Sequence, residues 1–154
     1  MRKILLLAAL LLAACASNPT LEGEEEVDLE SIPLLAVPHV DLDRYLGRWY
    51  MIANIPYFME AGNVAVHVDY SLGEDGYITD LYTAQDAFDQ PPFTKNGLIN
   101  FTDTEHYTEG FVTFRTPLWQ PFTIVFLDPD YRYTVIAHPT RDYAWVFSRE
   151  PEMS

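Results

Sequence analysis

From Pro38 onward, apolar and polar residues change places every one or two positions, in short blocks cut by turn residues. The cleanest block is 64–72, where Val64, Val66, Val68, Tyr70 and Leu72 alternate with Ala65, His67, Asp69 and Ser71. A period of two puts the first set on one face of an extended chain, so the block predicts a half-buried strand. Seven further blocks predict strands at 48–56, 77–84, 93–102, 110–116, 122–127, 131–137 and 143–149. Between them lie strong turn signals: Gly73-Glu74-Asp75-Gly76, Pro117, Asp128-Pro129-Asp130 and Pro139-Thr140-Arg141-Asp142. Ahead of the first strand, Asp41 can cap a short helical turn running to Tyr45, which Gly47 ends. Eight short strands with no helical interlude predict an all-β, antiparallel sandwich or barrel. Periodicity alone does not choose between the two. A closed barrel of eight up-and-down strands would be just wide enough to hold one small ligand.

The pattern ahead of Pro38 is different. Arg2 and Lys3 precede nine apolar residues, 4–12, and then Ala13 and Ala14. The apolar run is well short of the ~20 residues a membrane-spanning helix needs, so 1–14 reads as a secretory signal peptide. Leu12-Ala13-Ala14-Cys15 resembles the bacterial lipobox, which implies cleavage before Cys15 and attachment of acyl chains, palmitate among them, to the new terminus. Each buried CH₂ of such chains contributes about 0.8 kcal/mol to membrane binding, so several together make a stable anchor. Ala16 and Ser17, where an Asp would retain a lipoprotein at the inner membrane, imply sorting to the bacterial outer membrane. Glu22, Glu24, Glu25, Glu26, Asp28 and Glu30 follow, flanked by Pro19, Pro33 and Pro38. Like charges repel one another and keep such a stretch extended. Residues 15–37 are therefore expected to be a lipidated Cys and an acidic tether, and 38–154 the barrel.

Composition narrows the function. Of 154 residues 49% are apolar and 21% charged, enough for a core and too little charge for wholesale disorder. The formal net charge is −14, which sets nucleic acid aside as a partner because its phosphates need clustered positive charge. Cys15 is the single cysteine, so neither an internal disulfide nor a Cys-based zinc site is available. His39, His67, His106 and His138 are scattered with no metal-ligating spacing, and the serines lack a nucleophile-elbow context. No catalytic residue, metal or cofactor is expected, and the protein is not expected to be an enzyme.

Three short regions then carry a resemblance. Gly47-Arg48-Trp49 lies where the helical turn meets the first strand, Asp130-Tyr131 opens the seventh strand, and Arg149 closes the eighth. In order and separation they resemble the signature regions of the lipocalin family. Tyr45-Leu46-Gly47-Arg48-Trp49-Tyr50 and Asp142-Tyr143-Ala144-Trp145-Val146-Phe147-Ser148-Arg149 are most similar to the branch with bacterial outer-membrane lipocalins and apolipoprotein D. The resemblance spans roughly 38–154 and implies the closed barrel. It assigns Gly47, Trp49, Asp130, Tyr131 and Arg149 to the structural motif. At the closed end, a guanidinium at 149 can stack on the indole at 49 while donating to carbonyls of the preceding turn.

Alternation then gives directions. With Trp49 inward, Met51, Ala53 and Ile55 follow. With Arg149 inward, so are Phe147, Trp145 and Tyr143. Phe122, Ile124 and Phe126 share a face. The family position matching Trp145 lines the ligand pocket. The expected ligand-binding set is Met51, Ala53, Val68, Tyr70, Phe122, Ile124, Tyr143 and Trp145. Loops 58–63, 85–92, 117–121 and 138–142 would ring the mouth, with Phe58, Met59, Phe88, Leu118 and Trp119 as an apolar rim. Many relatives carry Glu and Arg where this chain has Met51 and Asn54, which removes a charged contact there. Relatives also continue with a helix packed on the barrel. The sequence stops at Ser154, so either it is truncated there or that helix is absent, and a bare outer wall would then favour a homodimer. The expected function is a lipid-anchored carrier of a fatty acid or lysophospholipid, held at the outer membrane. An envelope enzyme acting on an amphipathic lipid, and a structural envelope barrel filled by its own side chains, are the alternatives.

Overall fold

The computed structural model describes residues 31–115 and 117–152. The expected signal peptide, Cys15 and the acidic run through Glu30 lie outside the described residues. A short helix α1 (Leu42–Tyr45) precedes eight strands: β1 (Gly47–Ile55), β2 (Val64–Leu72), β3 (Ile78–Gln85), β4 (Phe93–Phe101), β5 (Glu109–Thr113), β6 (Gln120–Leu127), β7 (Tyr133–Ala137) and β8 (Ala144–Ser148). Each strand pairs antiparallel with the next and β8 pairs with β1, so the sheet is a closed barrel. Closure leaves no strand edge unpaired, which is how an all-β chain avoids edge-to-edge association. The barrel, not the sandwich, is the architecture.

Strand β2 has the burial the alternation demands: Val66, Val68 and Tyr70 are buried and His67 and Asp69 half-buried. In β3 the buried set is Ile78, Asp80, Tyr82 and Ala84. The fifth strand ends at Thr113 rather than 116, because the Thr113 hydroxyl turns the chain. It donates to the Leu118 carbonyl at 2.7 Å and accepts from the Arg115 N–H at 3.1 Å.

Three register shifts overturn simple counting by twos, and in β2 the one between Val64 and His67 leaves Val64 opposite Gln85, on the outer face rather than with Val66 as expected. In β1 the register with β8 shifts between Met51 and Ala53, so Met51 faces Phe147 but Ala53 faces Val146. Directly opposite residues share a face of the sheet, and one extra residue moves all later ones to the other face. Ala53 thus lies on the outer wall, against expectation, and Ile55 is 55% exposed. In β6 a shift between Ile124 and Phe126 leaves Phe126 opposite Val135 and exposed, while Leu127 packs against the core in its stead. The expectation that Phe126 shares a face with Phe122 and Ile124 fails for the same reason.

The end of the expected tether is not free. The Val37 N–H donates to the Ile124 carbonyl at 2.9 Å, Val37 packs on the core cluster, and Val40 is fully buried. Val37, the last residue of the expected tether, thus packs with the barrel, as Val40 beyond it does.

Candidate functional site

The closed end is built by the three signature regions. Asp41 caps α1, its carboxylate accepting from the Arg44 N–H, and the helix runs one turn to Tyr45. Gly47 then takes φ +90°, a left-handed value that only glycine adopts without cost, and this lets β1 start directly. Trp49 is fully buried, and its Nε1–H donates to the Tyr45 carbonyl at 2.8 Å. The Arg149 guanidinium lies 3.8 Å from the centroid of the Trp49 ring. It donates to the carbonyls of Arg48 (2.8 Å), Arg44 (2.5 Å) and Tyr45 (3.1 Å). One planar fork thus satisfies carbonyls at the end of α1 that the helix cannot itself pair. Tyr131, at φ +61°, accepts from the Asp41 N–H at 2.7 Å and carries the Arg44 guanidinium 4.0 Å over its ring. Asp130, expected to act here, is exposed. The carboxylate that shapes this turn is Asp128, buried, accepting from the Arg132 side chain and from the N–H groups of Asp130 and Arg132.

Above this base lies a cavity of about 380 Å³. That is within the range of small-molecule pockets, which are mostly apolar with a few placed polar groups. Aromatic and aliphatic side chains dominate its wall, among them Tyr70, Tyr82, Ile99, Phe101, Val112, Phe114, Phe122, Ile136, Trp145 and Phe147. Loop residues Tyr57, Phe58, Met59 and Leu118 line it at the other end, with Phe58 73% and Leu118 62% exposed. That end is the mouth. Of the eight expected ligand-binding residues, Val68, Tyr70, Phe122, Tyr143 and Trp145 line this cavity. Ile124 is fully buried in the core cluster and Met51 packs against that cluster, neither of them on the cavity wall, and Ala53 is on the outer face. Trp119 is also displaced from the expected rim, its ring stacked 6.1 Å from that of Tyr77. The barrel is sheared, so Gln120, at the start of β6, belongs to one row with Val112, Ile99 and Ile78.

Polar groups in the cavity were not foreseen. Glu60 comes in from the β1–β2 loop and accepts from Trp145 Nε1–H at 2.8 Å. Burial pushes its carboxyl above the usual range, opposed by the Trp145 bond, a Tyr57 backbone bond and the Lys95 charge. Asp80 is 4% exposed and faces the cavity from β3. Among the described residues, its Oδ1 is the one buried side-chain nitrogen or oxygen atom without a hydrogen-bond partner. Burial, and secondarily the charge of Glu60, push its carboxyl up to about 7. Lys95 Nζ lies 3.4 Å from the Met59 carbonyl and 5.1 Å over the Phe93 ring. A signal for Asp80 was present, because it interrupts the apolar series Ile78, Tyr82, Ala84. For Glu60, in a loop, there was none.

The comparisons with known proteins fit this geometry. A family model described as a lipocalin-like domain matches residues 40–154. The chain belongs to the lipocalin family. This lipocalin is similar to the outer membrane lipoprotein Blc of Citrobacter freundii, 31% identical over 147 residues that cover 96% of this chain and 77% of the relative. The protein of the same name from Escherichia coli K12 is 30% identical with the same coverage. Apolipoprotein D of Rattus norvegicus is 29% identical over 156 residues, 92% of this chain and 78% of that one. Among solved structures, insecticyanin of the tobacco hornworm Manduca sexta superposes with TM-score 0.60 at 16% identity, covering 77% and 68% of the two chains. The cockroach allergen Per a 4 gives 0.57 at 20%, covering 75% and 72%. At those identities they attest the fold alone.

Proposed function

We propose that this lipocalin is a carrier for one hydrophobic or amphipathic small molecule, a fatty acid or lysophospholipid being the class first in view, held at the bacterial outer membrane through lipid on Cys15. The observation that carries the reading is the cavity: about 380 Å³, walled by aromatic and aliphatic side chains, plugged at one end and open at the other. A barrel filled by its own side chains would have no such space. A carrier rather than an enzyme is favoured because the cavity wall offers mainly shape and apolar area, with Glu60 and Asp80 as its acidic groups. The names of the bacterial relatives, outer membrane lipoproteins, support the location, as do Leu12-Ala13-Ala14-Cys15 and the residues after it.

The test is extraction of the native protein from membranes without detergent exchange, followed by mass spectrometry of what it holds. A stoichiometric lipid supports the carrier; an empty barrel that also fails to take up added alkyl chains overturns it. For the anchor, Cys15→Ser should abolish metabolic palmitate labelling and move the protein out of the membrane fraction. Labelling equal to wild type would remove Cys15 from the reading.

A further inference from the structure

An apolar cavity that only had to receive an alkyl chain would gain from an apolar floor. This one carries Asp80 there. Tyr70, its register partner on β2, is opposite Gly47 at the start of β1, so Asp80 sits toward the plugged end. It is buried, it faces the cavity, and its Oδ1 has no hydrogen-bond partner among the described residues. A carboxyl left so in a low-dielectric site is costly unless something donates to it.

The surroundings define what that could be. Tyr70 lies beside Asp80 across the β2–β3 pair, and Tyr82 is two residues further along the same face. Phe114 packs over Gly97, the residue opposite Asp80 on β4, where even a Cβ would come within 2.7 Å of its ring. Phe114 also meets Tyr82 edge to face at 5.9 Å. An acid among aromatic faces is the chemistry that recognises an organic cation, since the rings attract positive charge and the carboxylate accepts its N–H groups. The protein's own ammonium in the cavity does not serve Asp80, being turned to the Met59 carbonyl and the Phe93 ring. A ligand carboxylate at this depth would instead meet the Asp80 carboxylate, like charge against like. An alkyl terminus would leave Oδ1 unpartnered.

We propose that the cavity floor is a subsite for a primary ammonium group: the ligand enters amine end first, its N–H groups donating to Asp80 and its charge lying among Tyr70, Tyr82 and Phe114. This rests on the carrier reading and names the ligand class for the same cavity, an apolar chain or ring system ending in an amine.

The experiment titrates the protein at pH 8 with dodecylamine, dodecanol and dodecanoate, each below its micelle concentration, by calorimetry and by Trp145 fluorescence. Wild type should bind the amine about tenfold to a hundredfold more tightly than the alkanoate, as for one charge-assisted hydrogen bond, with the alcohol between. Asp80→Asn should bring the three within about threefold of one another while the alcohol still binds; Asp80→Leu should do the same through an apolar floor. Glu60→Gln should keep the amine preference. Equal binding of all three by wild type, or a preference that survives Asp80→Asn, overturns the subsite and leaves the carrier reading standing. A preference lost in Glu60→Gln and kept in Asp80→Asn would place the amine at the mouth and equally overturn it. Failure of all three chains to bind would sink the carrier reading itself, and the subsite with it.

Discussion

Arg149 at the base and Asp80 at the cavity floor are two charged side chains drawn into the same barrel, and they are treated in opposite ways. The guanidinium of Arg149 is half-exposed, stacked on Trp49 and bonded to three carbonyls. Asp80 is almost wholly buried and its Oδ1 accepts from no group among the described residues. The base spends its charge on joining α1, β1 and β8. The floor holds its charge unused, at a cost in stability. The contrast separates the part of the barrel that makes the fold from the part that, on the proposal above, a ligand would complete.

The sharpest way to break the contrast is pH. Burial raises the Asp80 carboxyl from its ordinary 3.8 to about 7, so the folded protein holds a proton that the unfolded chain has released. Stability from this group is full below about pH 3.8, falls as the pH rises through that interval, and levels off above about 7. The whole fall corresponds to roughly 4 kcal/mol at 1.36 kcal/mol per pH unit. Asp80→Asn should remove it, so urea denaturation at a series of pH values should show the variant gaining on wild type between pH 4 and 8. Parallel profiles would mean that Asp80 is as well solvated as a surface acid. Asp69, Asp103 and Asp128, whose partners hold their carboxyls low, contribute equally to both proteins and cancel in the difference.

Arg149→Ala tests the other member. It should lower stability by roughly 2–4 kcal/mol, through loss of the stacking and of bonds from a charged donor to three carbonyls. Affinity for an alkyl chain in the folded protein should change less than twofold, because the guanidinium is not on the cavity wall. An unchanged denaturation midpoint would contradict the role of the plug.

Trp145→Ala should reverse that pattern, weakening alkyl-chain binding by about 1–3 kcal/mol as one large apolar contact is lost. Because Trp145 Nε1–H is bonded to Glu60, Trp145→Phe should remove most of the ligand-induced emission change, and Trp119→Phe should leave it intact. The smallest effect belongs to Arg48→Ala. The Arg48–Asp69 pair on the outer wall is two-pronged, at 2.9 and 2.8 Å, but its side chains are 48% and 32% exposed. Water screens such a pair, and its loss should cost less than about 1 kcal/mol by the same denaturation measurement.

Strand positions, turns, the short helix and the plug partners were legible in the chain because each depends on neighbours a few residues away, or on a motif of fixed composition. Period two in 66–72 or 78–85 follows from backbone geometry wherever the strand ends up. Facing was legible only as far as the first bulge. Ala53 and Phe126 turned outward because one residue in each strand lost its partner across the barrel wall, a matter settled between β1 and β8 and between β6 and β7. The shear that carried Trp119 to Tyr77 is likewise a property of the closed sheet. The loop that brings Glu60 to Trp145 has no period to read, and the two residues are 85 positions apart. Asp80 stands between these cases. Its inward position could be counted from Ile78 and Tyr82, but its isolation could not, because a missing hydrogen bond is decided by everything that packs around it. Alternation along the chain thus determined the eight antiparallel strands, while closure, with its shear and bulges, decided which side chains share the cavity and left Asp80 Oδ1 there without a partner among the described residues.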